Sequence, residues 1–133
     1  MIWYVAYGSN LLAARFALYV GTVPDEQRRV TIPYARYFAR DAAETRWGGG
    51  GVAFLDPDTP AETLGRAYLL DEERFAALHR DEGPWSPRLL DLDPVEGVPA
   101  RTFTSDVRLP DNPPGPRYLA TVTAGEEETR RLP

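Results

Sequence analysis

Two short stretches of the chain combine residue types and spacing that can do chemistry. The first is Tyr7-Gly8-Ser9-Asn10-Leu11, an apolar run that breaks at a glycine and then meets a residue favoured at helix starts. A strand, a sharp turn and a helix N-terminus in that order aim unpaired backbone N–H groups at one spot, and such a spot binds anions, an amino-acid carboxylate among them. Gly8 lacks a Cβ, so a ligand can come close to the backbone there. The plain alternative is a turn followed by an N-cap with no ligand. The second stretch is His79-Arg80-Asp81-Glu82-Gly83-Pro84-Trp85, where Glu82 sits at the end of a helical segment before a glycine exit. A carboxylate there can act as a general base, or it can simply be a solvated surface acid. Asp81 is its neighbour and points along another face of a helix, which argues against a shared-proton pair. His79 shares the helix face of Glu82 three residues on, but a histidine in a last turn more often meets the helix dipole or packs its ring, and it is given no role.

Composition removes most other chemistries. The 133 residues contain no cysteine and one histidine, so no thiolate nucleophile, disulfide or iron–sulfur cluster can be built. A zinc site is equally short of ligands, and no metal or other cofactor is expected. A Ser9-based triad would have to use His79 and lacks the G-x-S-x-G elbow. The fifteen cations are all arginine and are spread along a chain of net charge −5, unlike a nucleic-acid footprint. No run approaches the roughly 20 apolar residues that cross a bilayer, and the start has no basic leader, so a cytoplasmic protein without nucleic-acid or membrane partners is expected.

These groups need elements to hold them. Residues 2–7 read as a buried strand, and Asn10 should cap a helix over Leu11–Tyr19 that ends at Gly21 and Pro24. Alternation over Arg29–Ala39 predicts a strand with Pro33 at an edge or bulge. A glycine-rich loop, Trp47–Gly51, follows. Val52–Leu55 and Leu64–Leu70 should be two strands joined in a hairpin by the Asp56–Pro60 turn. Asp71 caps a second helix, with Leu70 and Phe75 placed as a hydrophobic staple and Gly83-Pro84 ending it. Leu89–Leu92 and Arg101–Arg108 read as further strands, Asp111–Pro116 as a rigid connector, and Tyr118–Thr123 as helix or strand. The sum is one α+β domain over residues 1–133, a small mixed sheet, closed or partly closed like a barrel, with a few flanking helices.

Tyr4 through Leu11 resembles the signature loop of the gamma-glutamyl cyclotransferase family. In the same order Trp47–Ala53 is similar to that family's glycine stretch, Leu64–Tyr68 to its glycine-containing strand, Leu78–Gly83 to its catalytic Glu-Gly, and Pro114–Leu119 to its proline-rich turn with tyrosine. The resemblance implies the fold of that family, with Glu82 as the catalytic acid-base group. It also implies substrate binding by Tyr7, Gly8, Ser9, Asn10 and Leu11, with Tyr118 lining the pocket. The implied reaction closes a small-molecule gamma-glutamyl amide into 5-oxoproline and frees an amine, without a cofactor, in a monomer or homodimer. The alternative within the same fold is a module that binds a gamma-glutamyl or other carboxylate group without turnover.

Overall fold

The computed structural model describes residues 1–43 and 46–133. Five strands form one mixed sheet: β1 (Ile2–Ala6), β2 (Gln27–Ala39), β3 (Val52–Leu70), β4 (Arg88–Val95) and β5 (Val98–Thr104), in the spatial order β2-β3-β1-β5-β4. Three helices flank it: α1 (Ala13–Val20), α2 (Glu72–Glu82) and α3 (Pro116–Arg130). β1 is central, antiparallel to β3 and parallel to β5, and all five of its residues are buried. Its period-2 alternation splits the core in two. Ile2, Tyr4 and Ala6 join Phe16 of α1, Phe75 and Leu78 of α2, Tyr68 and Phe103, whereas Trp3 and Val5 join Ile32, Leu55, Ala67, Leu90 and Ala100. Leu70 and Phe75 meet in the first cluster, as a staple should, and the Asp71 side chain accepts from the Arg74 N–H at 2.7 Å to cap α2.

The sheet is open, which corrects the expected barrel-like closure. Both edge strands carry a proline, Pro33 in β2 and Pro94 in β4, each at a shift in pairing register. Proline has no N–H to donate, so neither edge offers an unbroken ladder to the other. Side chains span the gap instead: Arg28 of β2 pairs with Glu96 in the β4–β5 turn at 2.5 Å and lies over the Trp3 ring. That turn has positive φ at both Glu96 and Gly97, the two-residue geometry that suits the twist of a hairpin.

The Val52–Leu55 and Leu64–Leu70 segments are not a hairpin. They are two ends of the single 19-residue β3, and both pair with β2. The Asp and Pro residues between them form a bulge, with Tyr34 opposite Pro60 and Ala35 opposite Asp56, because β2 is long enough to serve both halves. Tyr118–Thr123, which the sequence leaves open between helix and strand, lie in the helix α3, and that helix takes in Pro116 from the expected connector as its first-turn residue and runs on to Arg130. β5 stops at Thr104, four residues before the expected end.

Asn10 does not cap α1. Ser9–Leu11 form a single 3₁₀ turn, α1 begins at Ala13, and the acceptor for the Ala13 N–H is Oε1 of Glu128 in α3, at 2.9 Å. The same Glu128 oxygen receives Arg66 Nη1 of β3 at 2.6 Å. The helix start is therefore satisfied by a residue from the far end of the chain.

Candidate functional site

β1 delivers Tyr7 to the end of the central strand, where the chain turns through Gly8–Leu11. The Tyr7 hydroxyl donates to the Phe103 carbonyl at 2.8 Å, and its own carbonyl accepts from Arg36 Nη1 at 3.0 Å, so this residue ties β1, β2 and β5 together below the turn. Burial pushes its phenol well above the ordinary range. Behind the turn, the Tyr68 hydroxyl donates to the Asn10 carbonyl at 2.7 Å, and Arg66 Nη1 to the Leu11 carbonyl at 3.1 Å. α3 closes in at Gly125, where an added Cβ would lie 2.5 Å from the Leu12 nitrogen and 2.6 Å from the Leu11 Cβ. A glycine in the middle of α3 costs helix propensity, and here it allows helix and turn to touch.

Tyr118 comes off the first turn of α3 and pins the turn from the other side. Its hydroxyl oxygen accepts from the Ala53 N–H at 2.9 Å, and a Cβ on Gly8 would sit 2.6 Å from that oxygen. Gly8 is therefore required for close approach. Burial raises the Tyr118 phenol, opposed by hydrogen bonding from the Ala53 and Ser9 backbone and from the Ser9 side chain. The ring stands edge-on to Trp47, 5.0 Å between centroids. The glycine loop that carries Trp47 is itself fastened by Gly50 N–H to Asp41 at 3.1 Å and by Gly51 N–H to the Pro113 carbonyl at 2.8 Å.

Opposite the turn, α2 ends at Glu82, whose carbonyl accepts from the N–H groups of Trp85 and Ser86 at 3.0 and 2.8 Å. These bonds hold the chain in a tight exit. Burial raises the Glu82 carboxyl above the usual glutamate value; hydrogen bonding from Tyr19 and the positive charge of Arg15 oppose that, and the Asp81 charge adds to it. His79 packs its ring 5.1 Å from Phe103 and meets the Pro87 carbonyl at 3.1 Å, a packing role.

The two stretches singled out by sequence line one cavity of about 250 Å³. Tyr7, Gly8, Ser9, Asn10, Glu82 and Tyr118 are all on its wall. Leu11 is not: its side chain is fully buried against Tyr118 and Val122, and its N–H is bonded to the Gly8 carbonyl at 3.1 Å. The volume is below the roughly 300–1,000 Å³ of drug-sized pockets and suits an amino-acid-sized group with the remainder outside. The Asn10 side chain is tied inward: its Nδ2 donates to the Tyr4 hydroxyl at 3.3 Å, and its buried Oδ1 has no donor among the described residues. No group of three or more metal-ligating side chains is found among the described residues, and no described helix is long and apolar enough to cross a membrane.

Sequence reasoning missed Tyr4, Tyr19 and Arg15. Tyr4 opens the stretch that resembles the signature loop but carries no assigned role there, and Tyr19 lies inside a helix whose pattern shows only apolar spacing. The i, i+4 spacing of Arg15 and Tyr19 was the available signal.

No protein-family model matches the chain, and no curated protein matches it. Two solved structures do match in fold. A gamma-glutamyl cyclotransferase superposes with a TM-score of 0.73 at 20% identity, covering 96% of this chain and 79% of the other. An uncharacterised protein from Homo sapiens superposes with a TM-score of 0.67 at 21% identity, with the same coverage of each. The chain has the gamma-glutamyl cyclotransferase-like fold.

Proposed function

We propose that this protein is a gamma-glutamyl cyclotransferase-type enzyme, in which a substrate's own α-amine attacks its γ-carbonyl, releasing 5-oxoproline and an amine. The observation that carries the reading is that Glu82 and the Gly8–Asn10 turn line one small cavity. A general base and a cradle for a carboxylate are the two things this reaction asks of a protein.

In this reading the turn holds the α-carboxylate of the gamma-glutamyl group. Folding the substrate back on itself does most of the work, because well-oriented intramolecular reactions reach effective molarities on the order of 10⁵ M or more. No protein nucleophile is needed, in keeping with a chain that has no cysteine. Glu82 takes one proton from the α-ammonium, and the freed nitrogen forms a C–N bond to the γ-carbonyl carbon as the carbonyl π pair moves onto oxygen, giving a tetrahedral oxyanion. The oxyanion then collapses as the original amide C–N bond breaks and Glu82 returns its proton to the leaving nitrogen, and the extra proton on the new ring nitrogen passes to the freed amine, which departs as an ammonium. The raised proton affinity of Glu82 brings it closer to the pH at which it must both accept and donate. Tyr118 and Trp47 wall the cavity on the side of the glycine loop.

The test is release of 5-oxoproline from a panel of gamma-glutamyl dipeptides and gamma-glutamylamines by wild type and by Glu82→Gln. Release that the substitution abolishes supports the reading and begins to name the amine. Release that survives it removes Glu82 from the chemistry. No release from any panel member by folded wild-type protein overturns the reaction and leaves a carboxylate-binding module.

A further inference from the structure

Arg15 is unusual in its surroundings. It belongs to α1, is only 7% exposed, and forms no ion pair within 4.0 Å among the described residues. Its Nε and Nη1 have no hydrogen-bond partner among them either. An unpaired guanidinium kept out of water is expensive, and such a group is retained where its charge has a use. Two aromatic faces offset part of the cost: the guanidinium lies 5.0 Å from the Trp47 ring centroid and 5.1 Å from that of Tyr19. Its remaining nitrogen, Nη2, donates to the Tyr19 hydroxyl oxygen at 3.2 Å. Tyr19, one helical turn further along, lines the same cavity as Glu82.

We propose that Arg15 and Tyr19 are positioning residues for Glu82. Arg15 donates to the Tyr19 oxygen, which leaves the Tyr19 proton to be donated to the Glu82 carboxylate and fixes that carboxylate toward the cavity. The guanidinium has only N–H groups and cannot accept, so the direction of the first bond is set by chemistry, and it orients the second. The arrangement favours the charged form of Glu82, against the burial that disfavours it. A base too readily protonated would be idle at neutral pH; the Arg15–Tyr19 pair keeps the carboxylate available. The other titratable groups coupled to this corner are Asp81 on α2, Tyr4 on β1, Tyr7 just beyond it, Tyr118 on α3 and Arg46 in the loop before Trp47. Asp81 works in the opposite sense to Arg15 at Glu82.

The inference rests on Glu82 being the proton carrier of the proposed reaction, but its first test needs no substrate. Glutamate labelled with ¹³C at the carboxyl carbon gives a titration of Glu82 by NMR, its signal identified by its absence from Glu82→Gln. Tyr19→Phe should move the Glu82 midpoint to higher pH, because a hydrogen bond to the charged form is lost. Arg15→Met should move it the same way, and the double variant should move it by less than the sum of the two, since Arg15 acts in part through Tyr19. With a substrate in hand, the acid limb of the kcat/KM profile should follow the NMR midpoint, with kcat reduced more than KM is changed. A Glu82 midpoint that is unchanged or lowered in folded Tyr19→Phe overturns the proposal, whatever Arg15→Met does. Coupled titration without 5-oxoproline release would keep Arg15 and Tyr19 as positioning residues and refute the reaction; release without coupled titration would do the reverse.

Discussion

The two walls of the cavity are built in opposite ways. The Gly8–Asn10 turn is braced from behind by Tyr68, Arg66 and Gly125, pinned from the front by Tyr118, and tied to a central strand with every residue buried. Glu82 rides on the last turn of a helix whose neighbours Asp81 and Pro84 are exposed, and burial, which raises its proton affinity, is opposed there by the Tyr19 hydrogen bond and the Arg15 charge. The contrast suits a division of labour in which one wall must hold a shape and the other must exchange a proton. A cradle gains from rigidity because ordering has been done before the ligand arrives. An acid-base group gains from an environment that leaves both its protonation states accessible.

The sharpest break in that contrast is Glu82→Gln. It should lower turnover by about 10²- to 10⁴-fold, the usual worth of general acid-base catalysis, while a non-reacting gamma-glutamyl analogue still binds, as calorimetry would show. Gly125→Val works on the other wall. Its side chain meets the Leu11 and Leu12 backbone at distances no real contact shows, so it should cost about 1–3 kcal/mol or more in urea denaturation and weaken analogue binding as well. A variant that lost binding but kept stability would mean that the turn is less braced than its contacts imply. Tyr118→Phe leaves the Ala53 N–H without an acceptor and should cost about 1–3 kcal/mol alone. Combined with Gly8→Ala it should cost less than the two singles added, because the deleted hydroxyl is the atom that the new methyl group would strike.

The smallest effect is in the pH dependence of stability. The Glu82 pKa is raised in the folded state, so its contribution to stability is fully present below the unfolded glutamate pKa and is lost as pH rises through the folded value. Glu82→Gln should accordingly be slightly more stable than wild type at neutral pH, with the difference closing as pH falls below the ordinary glutamate range. Thermal unfolding at several pH values would read it, and equal melting temperatures throughout would show that Glu82 is held without strain.

What the sequence made legible follows from where each interaction's partners lie. Gly8 and Glu82 stand out as candidates because local spacing, a strand running into a glycine and a capped helix running into Gly-Pro, marks them, and the ordered resemblance along the chain is what implies a role for Glu82. The cap of α1 was misplaced because its acceptor, Glu128, is 115 residues away, and no local rule reaches that far. The Asp56–Pro60 segment has the chemistry of a turn and becomes a bulge, since a long partner strand overrides local preference. Leu11 belongs to the signature stretch, yet the 3₁₀ turn rotates it into the core. Arg15 could not be singled out because an arginine on a short helix ordinarily points to water, and its burial depends on Trp47 coming over it. Closure of the sheet was also a matter of what two prolines on opposite edges would refuse, and each looked unremarkable alone.

The bond between Glu128 and the first turn of α1 has a consequence during synthesis. The Gly8–Asn10 turn is made among the first dozen residues, but the carboxylate that satisfies the helix after it and the glycine that lets α3 press against it are made near residue 128. A nascent chain can pair β2 with β3 early and still lack a finished cavity until α3 has left the ribosome. Ligand binding would then report on completion of α3, so that a chain stalled within that helix would be silent toward ligand.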